Sequence, residues 1–212
     1  MTTTIGIIGS GNIGSTLARA FTAAGHSVVV ANSRGPESLG ALVDELGELA
    51  RAGTVAEAAG AGELVVVTVP LRAVASIPSD LLAGRIVIDT NNYYPARDGE
   101  FAELDARETT TSEIVARHFA GARVVKAFNH IKALDIIEHA QAAGSPGRRA
   151  LAVYADDAEA RDRVATIIDE VGFDVVDGGP LGDSWRIERD QPGYIPHFTA
   201  EQLREKLTEA RR

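Results

Sequence analysis

Ile5-Gly6-Ile7-Ile8-Gly9-Ser10-Gly11-Asn12-Ile13-Gly14 is the stretch that decides the fold. An apolar run enters a turn with the spacing G-x-G-x-x-G. A helical segment, Ser15 to Ala24, follows, and a second apolar run, Ser27 to Ala31, ends in Asn32-Ser33-Arg34. The order is strand, glycine turn, helix, strand. Gly9 permits the tight turn, Gly11 lets backbone approach a pyrophosphate, and Gly14 lets the helix pack closely on the strand. The helix start offers unpaired N–H groups and the positive end of the helix dipole to phosphates. The turn alone is a weak signal. Its place after a strand and before a helix, within a unit of about 30 residues, marks a dinucleotide site. Gly9, Ser10, Gly11, Asn12 and Ile13 are its expected pyrophosphate contacts.

The end of the second strand selects the dinucleotide. An Asp or Glu there accepts from the ribose hydroxyls of NAD(H). This chain has Asn32, Ser33 and Arg34 instead. Asn32 removes the carboxylate that would repel a 2′-phosphate, Ser33 offers a hydroxyl, and Arg34 offers a charge-assisted fork. The expected cofactor is NADP(H).

The 212 residues are 45% hydrophobic and 24% charged, which is the balance of a globular chain rather than a disordered one. A formal net charge of −9 argues against a nucleic-acid or anionic-membrane partner. With no cysteine there is no disulfide framework, thiol catalysis or cysteine-ligated metal, and the expected location is the cytoplasm. The longest strongly apolar run, Leu64 to Leu71, falls far short of the roughly 20 residues that span a bilayer.

Along the chain, Pro36 to Ala50 reads as a helix, Thr54-Val55 as a short strand and Ala56 to Ala61 as a short helix. Glu63 to Pro70 and Arg85 to Asp89 are nearly continuous apolar strands, the pattern of parallel strands covered on both faces. Ala96 to Thr110 is polar and reads as a surface excursion. Thr111 opens a helix through His118, and Arg123 to Phe128 is a further strand. Ile131 to Ala142 reads as a helix, Ala150 to Ala155 as a strand, Asp156 to Val171 as an amphipathic helix and Phe173 to Val176 as a strand. Asp177 to Leu181 reads as a turn and Ser184 to Phe198 as irregular. Thr199 and Gln202 form a capping-box pattern opening a last helix. The fold class is α/β: a Rossmann-type doubly wound, mostly parallel sheet with a small α/β continuation and a C-terminal helix. It is one domain over 1–212, with a core over 1–130 and a continuation over 131–212. The residues after Asn129 read as βαβ with a tail, so a large helical substrate domain is not expected within them.

Several of these segments carry a resemblance. Gly6 to Gly14, Asn32-Ser33-Arg34, Thr68-Val69-Pro70, Val124 to Asn129 and Asp177 to Leu181 resemble the NADP oxidoreductase, coenzyme F420-dependent family. The resemblance runs over nearly the whole chain. It implies hydride passage between NADP(H) and a deazaflavin, or a flavin or ferric iron in related reductases. It also implies a homodimer. After Gly-Pro-Leu the chain reads Gly182-Asp183-Ser184-Trp185-Arg186, which differs from the archaeal deazaflavin enzymes.

Three strand ends should border the cofactor: Thr68-Val69-Pro70-Leu71, Asn91-Asn92 with Tyr93-Tyr94, and Ala127 with Asn129-His130. Thr68 would lie along the nicotinamide, and Asn91 and Asn129 would hydrogen-bond its carboxamide or the acceptor. Asn also caps turns, which is the plainer reading. His130 is the candidate proton donor, or a helix-start histidine with a structural contact. His26, His118 and His139 read as surface. Trp185 is either an acceptor lid or a hydrophobic anchor, and Tyr93 carries the same two readings, so Tyr93, Asn129, His130 and Trp185 are the expected acceptor contacts. No histidines share metal-ligand spacing with a carboxylate, and no metal is expected. There is no Tyr-x-x-x-Lys pair and no Gly-x-Ser-x-Gly elbow, which suits ring-to-ring hydride transfer governed by proximity. Alternatives are a non-catalytic NADP(H) sensor, or reduction of a small carbonyl or imine with His130 as donor.

Overall fold

The computed structural model describes residues 2–212. The first half runs β1 (Thr4–Ile8), α1 (Asn12–Ala23), β2 (Ser27–Ala31), α2 (Gly40–Leu46), β3 (Ala50–Ala52), α3 (Val55–Gly60), β4 (Leu64–Val67) and β5 (Ile86–Asp89). Then come α4 (Pro95–Asp98), α5 (Ala102–Asp105), α6 (Thr111–His118), β6 (Arg123–Lys126) and α7 (Asp135–Glu138). The chain closes with β7 (Ala150–Ala155), α8 (Ala158–Val171), β8 (Asp174–Gly179) and α9 (Ala200–Glu209). The strands form one sheet in the order β3-β2-β1-β4-β5-β6-β7-β8. All pairs are parallel except β6 with β7. The doubly wound α/β architecture is therefore the one the sequence indicates.

Apolar residues alternate between two layers. Ile5, Ile7, Val28, Val30, Leu64 and Val66 face α1 and α8, while Ile8, Val29, Val65, Val67 and Val87 face α3 and α6. β1 is central, and the chain leaves it for β2 and β3 on one side before returning to start β4 on the other. That reversal opens a crevice at the carboxyl ends of β1 and β4, the place where open α/β sheets bind ligands. β7 pairs with β6 only through its last residues, Ala155 with Val125 and Tyr154 with Lys126. Its first residues thus project past the carboxyl edge of the core strands.

Some local readings are corrected. The third strand is Ala50–Ala52, because Thr54 is committed to capping α3 in a box with Glu57. The expected helix over 36–50 is broken into 3-10 turns around α2. Ile131 to Ala142 forms only the single turn α7, since Phe128 is left-handed (φ 58) and Gln141 N–H donates to Gly172 O across the chain. β8 continues through Gly179, where Asp177 Oδ1 accepts the Gly179 N–H. His26 is buried rather than on the surface, with Nε2 3.1 Å from the Glu170 carboxylate.

The ends of β5 and β6 are joined by an ion pair with no exposed side-chain surface. Lys126 Nζ lies 3.1 Å from Asp89 Oδ2 and also donates to Asn91 O and Thr111 Oγ1. Asp89 further accepts from Ser112 Oγ and from both nitrogens of Asn91. Every polar atom of the pair is satisfied, which is the condition under which buried charges persist. Lys126→Met strands the Asp89 charge and should cost about 3–5 kcal/mol, read as a lower urea midpoint. An unchanged midpoint would contradict a structural role for the pair.

Candidate functional site

Gly9 has φ 115, and a Cβ on it would come within 2.5 Å of Thr68 O. A Cβ on Gly14 would lie 1.9 Å from Gly9 O. Only glycine lets the turn, the start of α1 and the end of β4 converge this closely. Gly11, by contrast, faces open space. It is also the N-cap of α1 and supplies no side-chain cap, whereas α3, α6, α8 and α9 are all capped by Thr or Asp. The first amides of α1 are thus free toward the crevice.

Two hollows meet there. One, of about 360 Å³, is bordered by Gly9, Ser10, Asn32, Ser33 and Arg34. The other, of about 500 Å³, is bordered by Asn12, Ile13, Asn91, Asn92, Tyr94, Phe128, Asn129 and Tyr194. Both touch Gly11, Thr68, Val69 and Pro70, so they form one groove crossing the ends of β1 and β4. Asn32 is fully engaged. Its Nδ2 donates to Ser10 Oγ and Ser38 Oγ, and its Oδ1 accepts the Arg34 N–H at 2.8 Å. It shapes the loop on which Ser33 and Arg34 stand exposed. Asn129 Nδ2 donates to Asn92 Oδ1 and Ile187 O, while Asn92 Nδ2 donates to Asn129 O. Asn129 Oδ1 is buried without a partner among the described residues.

Five expected contacts lie elsewhere. Leu71 and Ala127 are buried in the two apolar layers, because the strand ends turn their side chains inward. Tyr93 and Trp185 border a separate hollow of about 470 Å³ with Arg212. The Tyr93 hydroxyl is tied to Gly99 O and Asp105, and the indole of Trp185 carries the guanidinium of Arg186 at 4.6 Å. Arg212 lies over the same indole at 6.0 Å, and Trp185 belongs to none of the apolar clusters among the described residues. His130 is 2% exposed and does not border the groove.

The surroundings of His130 explain why. Its Nε2 accepts the Ala152 N–H at 3.0 Å, so the proton is on Nδ1, which donates to Gly193 O. Burial foremost, and then the nearby Arg149 cation, lower its pKa from 6.5 to about 4. It is a neutral pin between the projecting part of β7 and the 188–198 segment. That segment contains Ile195 at φ 80, a strained value for a β-branched residue costing roughly 1–3 kcal/mol. His130 O accepts the Ile195 N–H, and Arg149 donates to Ile195 O.

The sequence reading missed three contributors. Lys126 was visible as a charge inside an apolar strand. Tyr194 and Ile195 come from the irregular tail, where no periodicity places them beside β6.

The family model described as NADP oxidoreductase, coenzyme F420-dependent, matches residues 4–93. The solved structure of the hypothetical protein SMa0349 from Sinorhizobium meliloti is 34% identical, with a TM-score of 0.77 and 94% of each chain covered. Over residues 4–93 the chain is similar to this NADP oxidoreductase family. A second structure, from Arthrobacter sp. FB24 and provisionally described as an F420-dependent NADP-reductase, is similar at 28% identity, TM-score 0.70 and 84% of each chain. Rat metalloreductase STEAP3 is 32% identical over 196 residues, covering 92% of this chain and 37% of that protein. The chain thus spans little more than a third of that relative. The resemblance read from the sequence holds, and the family is one of NADP-dependent oxidoreductases. Among the described residues no helix is long and apolar enough to cross a membrane.

Because the folded-state pKa of His130 is depressed, its contribution to stability is complete above pH 6.5 and is lost as pH falls through about 4. His130→Ala should lower stability at neutral pH by about 1–3 kcal/mol, since the Ala152 N–H loses its acceptor. Urea midpoints of the two proteins should converge as pH falls through that window. A constant gap would show that His130 is not held neutral.

Proposed function

We propose that this chain moves a hydride between NADP(H) and a flat, flavin-like acceptor, a deazaflavin such as coenzyme F420 ahead of a flavin. The carrying observation is the single groove with one hollow on each side of Thr68-Val69-Pro70. The nicotinamide, when bound, supplies or receives the hydride.

The chain's own residues bind and orient. The turn Gly9 to Ile13 offers backbone amides at the uncapped start of α1 to the pyrophosphate. Arg34 and Ser33 receive the 2′-phosphate, and Asn32 sets their loop through its bonds to Ser10 and Ser38. Thr68, Val69 and Pro70 line the ribose and ring. Asn129 Oδ1, an acceptor without a partner among the described residues, suits the carboxamide NH₂, with Asn92 holding the Asn129 side chain and Asn91 bordering the same hollow. The acceptor wall is Phe128, Tyr94 and Tyr194 rather than Tyr93 and Trp185.

His130 has both ring nitrogens engaged inside the protein, so it supports no role as proton donor to a carbonyl or imine. Ring-to-ring transfer needs chiefly proximity and orientation. In this reading the protein is a cytoplasmic homodimer, for which exposed Leu134 and Ile137 offer apolar area.

Arg34→Ala should weaken NADPH binding by roughly tenfold or more, the worth of a charged hydrogen bond, while NADH binding barely changes. Titration of both nucleotides checks this, and equal loss for the two would remove the phosphate role. NADPH oxidation should proceed with a deazaflavin, FMN or FAD; absence of turnover with all three would overturn the acceptor class.

A further inference from the structure

The hydroxyls of Tyr94 and Tyr194 lie 2.7 Å apart at the rim of the larger hollow, although the residues are a hundred positions apart in sequence. Each phenol carries one O–H, and the contact between them uses one. No other hydrogen bond is made by either hydroxyl among the described residues. One O–H is therefore left over, on a pair bordering the acceptor side of the groove. Neither oxygen is among the buried atoms lacking a partner.

The surroundings hold this pair in place and polarise it. The guanidinium groups of Arg97 and Arg189 sit over the Tyr94 ring at 4.8 and 5.4 Å. Arg97 is itself fixed by Asp98 and by Asn92 O. Tyr194 precedes the strained Ile195, which also borders the hollow and is clamped by His130 O and Arg149. Strain of this kind persists only where surrounding contacts over-determine it, and such sites cluster where function needs a fixed geometry. Burial, and then Tyr94, raise the pKa of Tyr194, so the phenol stays protonated at neutral pH and serves as a neutral donor.

We propose that the Tyr94–Tyr194 pair is the hydrogen-bond donor that receives the acceptor. Its spare O–H meets a carbonyl oxygen conjugated to the ring position that takes the hydride. This rests on the hydride-transfer reading above and adds the polar group by which the acceptor is recognised. The hydride carries both electrons from the nicotinamide to the acceptor ring. The negative charge this creates spreads onto the conjugated oxygen, where the phenol O–H stabilises it. The proton that completes the reduced acceptor comes from water, so no tyrosine bond is broken and the pair is unchanged after each turnover. A donor aimed where charge develops is the usual form of such stabilisation.

The test uses the full chain and compares wild type with Tyr94→Phe, Tyr194→Phe and the double variant. NADPH oxidation is followed with a deazaflavin, FMN and FAD, together with NADPH affinity and thermal unfolding. The double variant should lose roughly 10²-fold in kcat while its NADPH affinity stays within about twofold. The single variant carrying the larger loss identifies the hydroxyl that meets the acceptor. Wild-type kcat in all three variants would overturn the donor role while leaving the hydride-transfer reading intact. Joint loss of NADPH affinity, stability and turnover would also overturn it, marking the pair as a structural tie. If the double variant does not fold, the single variants decide by the same criteria. No turnover by wild type with any acceptor would sink the underlying reading, and this proposal with it.

Discussion

The buried contact between Lys126 and Asp89 is the constraint on which the ligand edge of the sheet depends. Parallel strands end at that edge with backbone groups that need partners, and the chain must turn there several times without losing them. Two opposite charges at adjacent strand ends solve this by gathering neighbours. Asp89 collects Ser112 at the start of α6 and both nitrogens of Asn91, while Lys126 reaches Asn91 O and Thr111. Thr111 in turn donates to Glu188, which attaches the C-terminal segment to the same node. Replacing either charge by an apolar group would leave the others stranded, so the arrangement acts as a unit.

A second node is built around Arg149 and His130. Arg149 has almost no exposed surface, yet it meets Asp135 and Ile195 O, while neutral His130 links Ala152 to Gly193. Both hold the 188–198 segment, Arg149 from the residue just before β7 and His130 from the loop after β6, where it is tied to Ala152 of β7. The antiparallel placement of β7 makes this possible, because a parallel strand would have begun at the far edge of the sheet. The tail can therefore lie against Phe128 and Asn129 at the groove.

The two halves of the groove differ in how they are made. The phosphate half is local: a glycine turn, a helix start and the loop after β2, all within the first 38 residues. Its donors are backbone amides and two exposed side chains, and these need little tertiary support. The other half is assembled from β4, β5, β6 and the tail, with hydrogen bonds such as Asn92 to Asn129 and Tyr94 to Tyr194 joining distant segments.

That difference explains what could be read from residues alone. The glycine spacing, the apolar strands β1, β4 and β5 and the capping box at Thr199 follow from short-range sterics and hydrogen bonding, so the sequence by itself determined the α/β class, the dinucleotide turn and most element starts, while the capping box at Thr110 emerged only in the structure. Asn129 and Asn92 were legible as residues at strand ends, though not as a mutually bonded pair. Burial of Leu71, Ala127 and His130, diversion of Tyr93 and Trp185 to another hollow, and arrival of Tyr194 at the groove were decided only by tertiary structure. Each depends on which segments meet across the sheet edge, and no local periodicity encodes that. The Lys126–Asp89 and Arg149–Ile195 contacts make that choice, because buried charges and strained backbone tolerate few alternative partners.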